Sequence, residues 1–350
     1  MIGRVDRPAR RRGPAWETDI APAQPVPRPR VICAADLEHA PEARLALEQS
    51  FDVCYVPGDA EAIGAALAQA QAYYATLHAR LTDAMMAAAP GLRAITTPST
   101  GLDHLDLDAA AARGIAVLSL KDDRAFLDGI TATAELTWAL LLACSRQLPP
   151  AVEAARRGDW ARDRFRGHQL AGKTCGILGC GRLGTMVAQY ARAFRMEVIA
   201  CDLEPVELSW VEQVSMDELL ARSDVLSLHV HLTEANRGLL GATEFARLKP
   251  GAVLLNTSRG AIVDEAALLA ALEDGRLAAA GLDVIEGEWR DDLADHPLIR
   301  YAASHANLVI TPHVGGVTYE SQALAFEAAA RKLVDFFTDT PRDGKGDTTP

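Results

Sequence analysis

Between residues 174 and 202 an apolar run, a glycine-rich turn, a helical stretch and a second apolar run ending in an acid follow one another without interruption. The turn reads Gly179-Cys180-Gly181-Arg182-Leu183-Gly184, directly after TCGIL and ahead of TMVAQYARAF. Its first glycine permits a tight turn, its second lets the backbone approach a pyrophosphate, and its third allows close packing of helix on strand, with the helix N-terminus facing the phosphates. The next run, MEVIAC, leads into Asp202, 23 residues after Gly179, where a carboxylate can hold both ribose hydroxyls and repel a 2′-phosphate. The pattern predicts a strand–turn–helix unit binding NAD rather than NADP, with Gly179, Gly181, Arg182, Leu183, Gly184 and Asp202 as cofactor residues. A glycine-rich turn that serves only packing is the competing reading.

The rest of the chain alternates in the same way. RVICAA, FDVCYV, AYYATL and LRAITT are separated by helical patterns such as PEARLALEQS and AEAIGAALAQA, the signature of βαβ units and a parallel sheet. A long helical stretch, TATAELTWALLLACSRQLPPAVEAARRG, then reads as a connector. After it come six runs, TCGIL, MEVIAC, VLSLHV, AVLLN, AAAGLDV and NLVIT, enough for one doubly wound domain. The amphipathic TYESQALAFEAAARKLVDFF has no strand after it and is expected to return to the first domain. The fold class is α/β, with two parallel-sheet domains.

Composition narrows the partners. The chain has 350 residues, 49% hydrophobic, and a formal charge of −12, which disfavours nucleic acid or an anionic membrane as main partner and favours a small molecule. No stretch approaches the roughly 18 to 20 apolar residues of a membrane span, and no signal-peptide core is present, so a soluble, cytoplasmic protein is expected. Six cysteines (33, 54, 144, 175, 180 and 201) lie in apolar segments without a CxxC pair, as reduced thiols would. The first thirty residues carry seven Arg and six Pro and read as a flexible arm, either a basic tether or docking site or a solvated extension. His229 and His231 share one strand face, but without a third ligand at suitable spacing no metal is expected.

Polar residues follow the late strands, where open α/β sheets bind ligands. Arg259 follows AVLLNTS, Glu288 follows GLDVIEG, and His313 follows NLVITP. Singly, each could be a surface ion pair or strand-end cap. In order, GILGCGRLG, NTSRGAIVDEAALLAAL, GLDVIEGE and ITPHVGG, with STGLDHLD upstream, resemble the D-isomer-specific 2-hydroxyacid dehydrogenases over about residues 30–338.

The chemistry needs such residues. Hydride transfer to or from the carbon bearing oxygen requires a proton to reach or leave that oxygen, so a group titrating near neutrality must touch it, and His313 fits. The resemblance implies Glu288 as the carboxylate that orients and stabilises the protonated ring, and Arg259 as the planar cation that grips the substrate carboxylate and polarises the carbonyl. It further implies that Asp283 contacts the nicotinamide carboxamide, that His229, Val230, Thr257 and Gly315 border the cofactor, and that Thr100 and Gly101 offer backbone donors to the substrate. It also implies a flavodoxin-like substrate domain from 30–125 and 317–338, a Rossmann NAD domain from 126–316, flexible ends at 1–29 and 339–350, and a homodimer.

Several segments depart from the family pattern. Thr133-Ala134-Glu135-Leu136 replaces Val-Ala-Glu-His, and His231 stands where proline is common. The connection SLKDDRAFLDGITAT is about five residues longer than usual, so Lys121 and Arg124 either read a second anionic group or form a solvated cluster with Asp122 and Asp123. Two alternatives stay open: an NAD(H)-sensing corepressor-like binding protein, favoured by the arm, and a phosphite-type dehydrogenase, against which Thr100 stands where those enzymes carry lysine.

Overall fold

Crossover connections between strands allow parallel pairing, and in the computed structural model every strand pair is parallel. The structure describes residues 28–339. The basic, proline-rich arm up to residue 27 and the tail from 340 lie outside the described residues.

The first sheet is built from β1 (Arg30–Cys33), α1 (Pro41–Ser50), β2 (Asp52–Tyr55), α2 (Ala60–Leu67), β3 (Ala72–Tyr74), α3 (Asp83–Ala87), β4 (Ala94–Thr96), α4 (Leu107–Ala112) and β5 (Ala116–Leu118). Its order, β2-β1-β3-β4-β5, is the flavodoxin-like one. The side chains of Asp59, Thr82 and Asp106 each accept from the N–H three residues on, which starts α2, α3 and α4.

α5 (Arg124–Leu127) and α6 (Ala132–Arg146) lead to α7 (Leu148–Arg156). The stretch expected as one connector is two helices. Gln147 takes a left-handed φ of 49° between them, and Pro149 and Pro150 supply no N–H to continue the ladder of α6.

The second sheet comprises β6 (Thr174–Leu178), α8 (Arg182–Ala193), β7 (Glu197–Cys201), β8 (Glu212–Gln213), α9 (Met216–Arg222), β9 (Val225–Leu228), α10 (Ala242–Arg247), β10 (Ala252–Asn256), α11 (Glu265–Glu273), β11 (Leu277–Leu282), α12 (Pro297–Ala302) and β12 (Leu308–Ile310). The order β12-β11-β10-β9-β6-β7-β8 reverses direction between β6 and β9, the point where doubly wound sheets open a crevice at their C-terminal ends. It has seven strands, one more than expected, because the two-residue edge strand β8 pairs with β7.

α13 (Tyr319–Asp339) returns to the first sheet. Ala329, Ala330 and Leu333 are buried with Val31, Leu47, Tyr74 and Ala94. The Tyr74 hydroxyl donates to the Phe326 carbonyl at 2.9 Å, and Thr96 Oγ1 to that of Ala329 at 2.8 Å. Apolar clusters cover both faces of each sheet, so the site-bearing strand ends rest on rigid cores. Among the described residues no helix is long and apolar enough to cross a membrane. All six cysteines are free, and burial pushes the thiols of Cys33, Cys144 and Cys175 up to about 12, which leaves them unreactive near neutrality.

Candidate active site

At the turn from β6 into α8 each glycine meets a different constraint. Gly179 has φ +88°, and a Cβ there would stand 2.8 Å from the His229 carbonyl oxygen and 2.7 Å from Val230 Cγ1, so the motif and the end of β9 are in close contact. A Cβ on Gly184 would strike the Gly179 carbonyl. One on Gly181 would meet nothing within 4 Å, which leaves open space at the N-terminus of α8. Asp202 Oδ2 accepts from the Cys180 N–H at 2.6 Å and Oδ1 from Glu204 at 3.0 Å, fixing the carboxylate beside the turn with lone pairs to spare. His229 is partly buried, with Nε2 2.8 Å from Ser227 Oγ and no partner for a shielded Nδ1. Burial lowers its imidazole to about 4. An open glycine cradle at a helix start, a fixed acid and an orphaned ring nitrogen fit a dinucleotide.

Arg182 divides its roles. Its backbone N–H stands at the start of α8, while its guanidinium donates to the carbonyls of Leu127 at 2.9 Å and Ile130 at 2.6 Å, clamping the long 119–131 segment. On that segment Arg124 is paired with Asp128 at 3.0 Å, and Asp123 with Lys332 at 2.8 Å. His231 lies nearby: burial first, then the charges of Lys121 and Arg259, lowers its imidazole.

The ends of β10, β11 and β12 are laced together. The Asp283 N–H donates to the Asn256 carbonyl and the His313 N–H to the Asp283 carbonyl, both at 2.8 Å, while Asn256 Nδ2 donates to the Arg259 carbonyl at 2.9 Å. These bonds place Arg259, Glu288 and His313 at one edge of the sheet. The Asp283 carboxylate accepts from Thr311 Oγ1 at 2.6 Å and from the N–H groups of Val314 at 2.9 Å and Gly315 at 2.7 Å. Burial raises its pKa despite those bonds. The bonds hold His313 in a left-handed conformation, φ 53°, which costs a non-glycine residue on the order of 1 kcal/mol. A Cβ on Gly315 would come 2.9 Å from Asp283 Oδ2, so the turn closes only on glycine. Thr257 spends its hydroxyl on Thr137 Oγ1 of α6, at 2.8 Å.

His313 Nδ1 lies 2.6 Å from Glu288 Oε1. That contact assigns Nδ1–H to the carboxylate and frees Nε2. Arg259 meets the first sheet: its Nε donates to Asp103 Oδ1 at 2.9 Å and its Nη1 to the Ser258 carbonyl at 2.8 Å, and a Cβ on Gly101 would strike its Nη2. The Thr100–Gly101 loop therefore lies against the guanidinium. Burial pushes the Asp103 carboxyl up, but the charge and hydrogen bond of Arg259 outweigh it and hold the carboxyl below its ordinary value. Asp103, Trp289 and His78 were not singled out from the sequence. The only signal for Asp103 was its place in STGLDHLD, and for Trp289 its place directly after Glu288. A cavity of about 910 Å³ lies at the opposite ends of the strands of the second sheet, beside Lys173, Asp224, Gly251 and Asn307, and none of the candidate residues lines it.

Residues 138–315 match the family model of the D-isomer specific 2-hydroxyacid dehydrogenase NAD binding domain. The chain is 38% identical to the D-3-phosphoglycerate dehydrogenase of Mycobacterium bovis over 297 residues, 83% of this chain and 54% of that protein. It thus spans about half the length of that relative. To the glyoxylate reductase of Aeropyrum pernix it is 36% identical, over 88% of this chain and 93% of the relative. The D-lactate dehydrogenase of Aquifex aeolicus, solved with NAD and lactic acid, superposes with a TM-score of 0.80 at 28% identity, covering 89% of this chain and 96% of the other. With the strand-end geometry and these matches together, the chain belongs to the D-isomer-specific 2-hydroxyacid dehydrogenase family and carries its NAD-binding domain.

Proposed function

We propose that the protein is an NAD-dependent oxidoreductase that interconverts a 2-oxo acid and a D-2-hydroxy acid. The observation that carries this reading is the 2.6 Å contact of His313 with Glu288 on the same strand-end row as Arg259. When bound, the nicotinamide supplies or accepts the hydride. Arg259 grips the substrate carboxylate and polarises the carbonyl, with the backbone donors of Thr100 and Gly101 beside it. His313 delivers a proton from Nε2 to the carbonyl oxygen as the ketone becomes an alcohol, and takes it back in the reverse direction. Glu288 stabilises the charged ring and holds its tautomer. Gly179, Gly181, Gly184 and the backbone of Arg182 and Leu183 would hold the pyrophosphate, Asp202 the ribose hydroxyls and Asp283 the carboxamide. His229, Val230, Thr257 and Gly315 would border the cofactor.

In this reading 30–125 with 317–338 is the substrate domain and 126–316 the NAD domain, with the cleft closing between them. The protein works in the cytoplasm as a homodimer, with neither nucleic acid nor membrane as partner. Exposed Leu148, Val152 and Trp160, the last 83% exposed, offer a second copy an apolar surface. The relatives above are named dehydrogenases and a reductase, which lends no support to the corepressor-like or phosphite readings.

The test is a panel of 2-oxo acids with NADH and NADPH in parallel. Steady consumption of NADH, at least about tenfold faster than of NADPH, is expected from the Asp202 carboxylate. Preference for NADPH refutes the part given to Asp202, and inertness toward every 2-oxo acid refutes the reading.

A further inference from the structure

Trp289 joins the two sheets at the proton-transfer end of the cleft. Its indole stacks on the His313 imidazole, with ring centroids 5.8 Å apart and planes 24° apart. On the segment between β3 and α3, His78 packs against the same indole at 4.5 Å and 45°. Trp289 remains 45% exposed, so its ring forms a wall of the cleft rather than part of the core. Behind His78 lies a cavity of about 480 Å³ at the ends of β1–β3, lined by Cys33, Tyr55, Gly58 and Thr76. The backbone N–H of His78 donates to Thr76 Oγ1 at 3.3 Å, which fixes the turn, and His78 both lines this cavity and packs on the indole.

A 2-oxo acid is planar at C2, with oxygen, carboxylate and substituent spread evenly around it. Arg259 and Gly101 take the carboxylate and His313 takes the oxygen. The substituent must then leave C2 on the remaining side, past the flank of His313. That flank carries the indole of Trp289, and His78 extends it from the other sheet.

Resting on the reading in the preceding subsection, we propose that Trp289 and His78 form the wall that receives the C2 substituent and select 2-oxo acids whose substituent is short and uncharged. An indole face and an imidazole offer apolar contact and no fixed cation. A phosphate on the substituent would lose water there without the guanidinium or ammonium that phosphate sites provide. Each methylene beyond the wall must pass the His78 imidazole, which lines the cavity behind it.

The experiment measures kcat/KM with NADH for glyoxylate, pyruvate, 2-oxobutyrate, 2-oxohexanoate and phosphohydroxypyruvate, in the wild type, Trp289→Ala, Trp289→Phe and His78→Ala. In the wild type the value should fall at least about tenfold from 2-oxobutyrate to 2-oxohexanoate, the discrimination a hydrophobic wall can supply. Trp289→Ala and His78→Ala should each raise the ratio of 2-oxohexanoate to pyruvate at least about tenfold, whatever happens to the absolute rates, because both enlarge the same wall. Trp289→Phe should keep the wild-type ranking. Should Trp289→Ala fail to fold, His78→Ala, on an exposed loop, reads the same ratio. An unchanged ratio in the alanine variants overturns the proposal. So does a wild-type preference for phosphohydroxypyruvate, which would require a fixed cation at that wall. In both cases a 2-oxo acid is still reduced, so the underlying reading stands; turnover of none of the five overturns both.

Discussion

Nδ1 of His313 lies 2.6 Å from Oε1 of Glu288, and both side chains are only 17% exposed. A carboxylate so close holds the proton on Nδ1 and turns Nε2 toward the cleft, the orientation needed to donate a proton during reduction of a 2-oxo acid. Glu288→Gln keeps the shape and removes the charge. kcat/KM for reduction should fall by at least about tenfold with the Kd for NADH unchanged. An unchanged kcat/KM would remove Glu288 from the proton relay.

Asp103 reaches across from the first sheet to fix the plane of Arg259. Substitution by Asn replaces the ion pair with a weaker hydrogen bond charged on the donor alone and lets the guanidinium turn. KM for the 2-oxo acid should rise by about tenfold, with the Kd for NADH unchanged. A lower KM would show Asp103 to be a competitor for the guanidinium rather than its guide.

Gly181 and Gly184 separate binding from folding. A Cβ on Gly181 meets open space, whereas one on Gly184 collides with the Gly179 carbonyl. Gly181→Ala should melt within a few degrees of the wild type yet bind NADH about tenfold more weakly by calorimetric titration, since the methyl enters the space meant for phosphate. Gly184→Ala should lose stability itself. Equal NADH affinity in Gly181→Ala and wild type would place the pyrophosphate elsewhere.

How much of this was legible follows from what each signal depends on. The glycine spacing, Asp202 and the three strand-end residues depend on local chain geometry, and their elements stand where the residues indicate. Strand β8 has two polar residues, too short for any alternation to show, and exists because the neighbouring edge of β7 accepts it. The break at Gln147 was hidden by helical periodicity on both sides, although Pro149 and Pro150 were in view. Asp103 and His78 escaped because their meaning lies in contacts with Arg259 and Trp289, more than 150 residues away. Arg182 could be placed at its helix start, but nothing local says that its guanidinium reaches back to Leu127 and Ile130.

Two imidazoles bear on acid stability. Burial lowers His104, with Nε2 3.1 Å from Thr97 Oγ1, and His229 to about 4 each. Between pH 6.5 and 4 the unfolded chain takes up protons that the folded one refuses, so stability is intact above the ordinary imidazole value and is lost as pH falls toward 4. The ceiling is on the order of 3 kcal/mol per ring. The melting temperature should drop across that window, and His104→Gln should flatten the drop. A melting temperature as flat in the wild type as in the variant would contradict it.

The sharpest measurement is the activity of His313→Asn with the best 2-oxo acid, alongside its Kd for NADH. Loss of the proton donor should cut kcat/KM by about a thousandfold while NADH binds within about twofold of wild type. Retention of more than about a tenth of wild-type kcat/KM, with the dinucleotide still bound, would show that the proton travels by another route and that the imidazole at the end of β12 is not the acid.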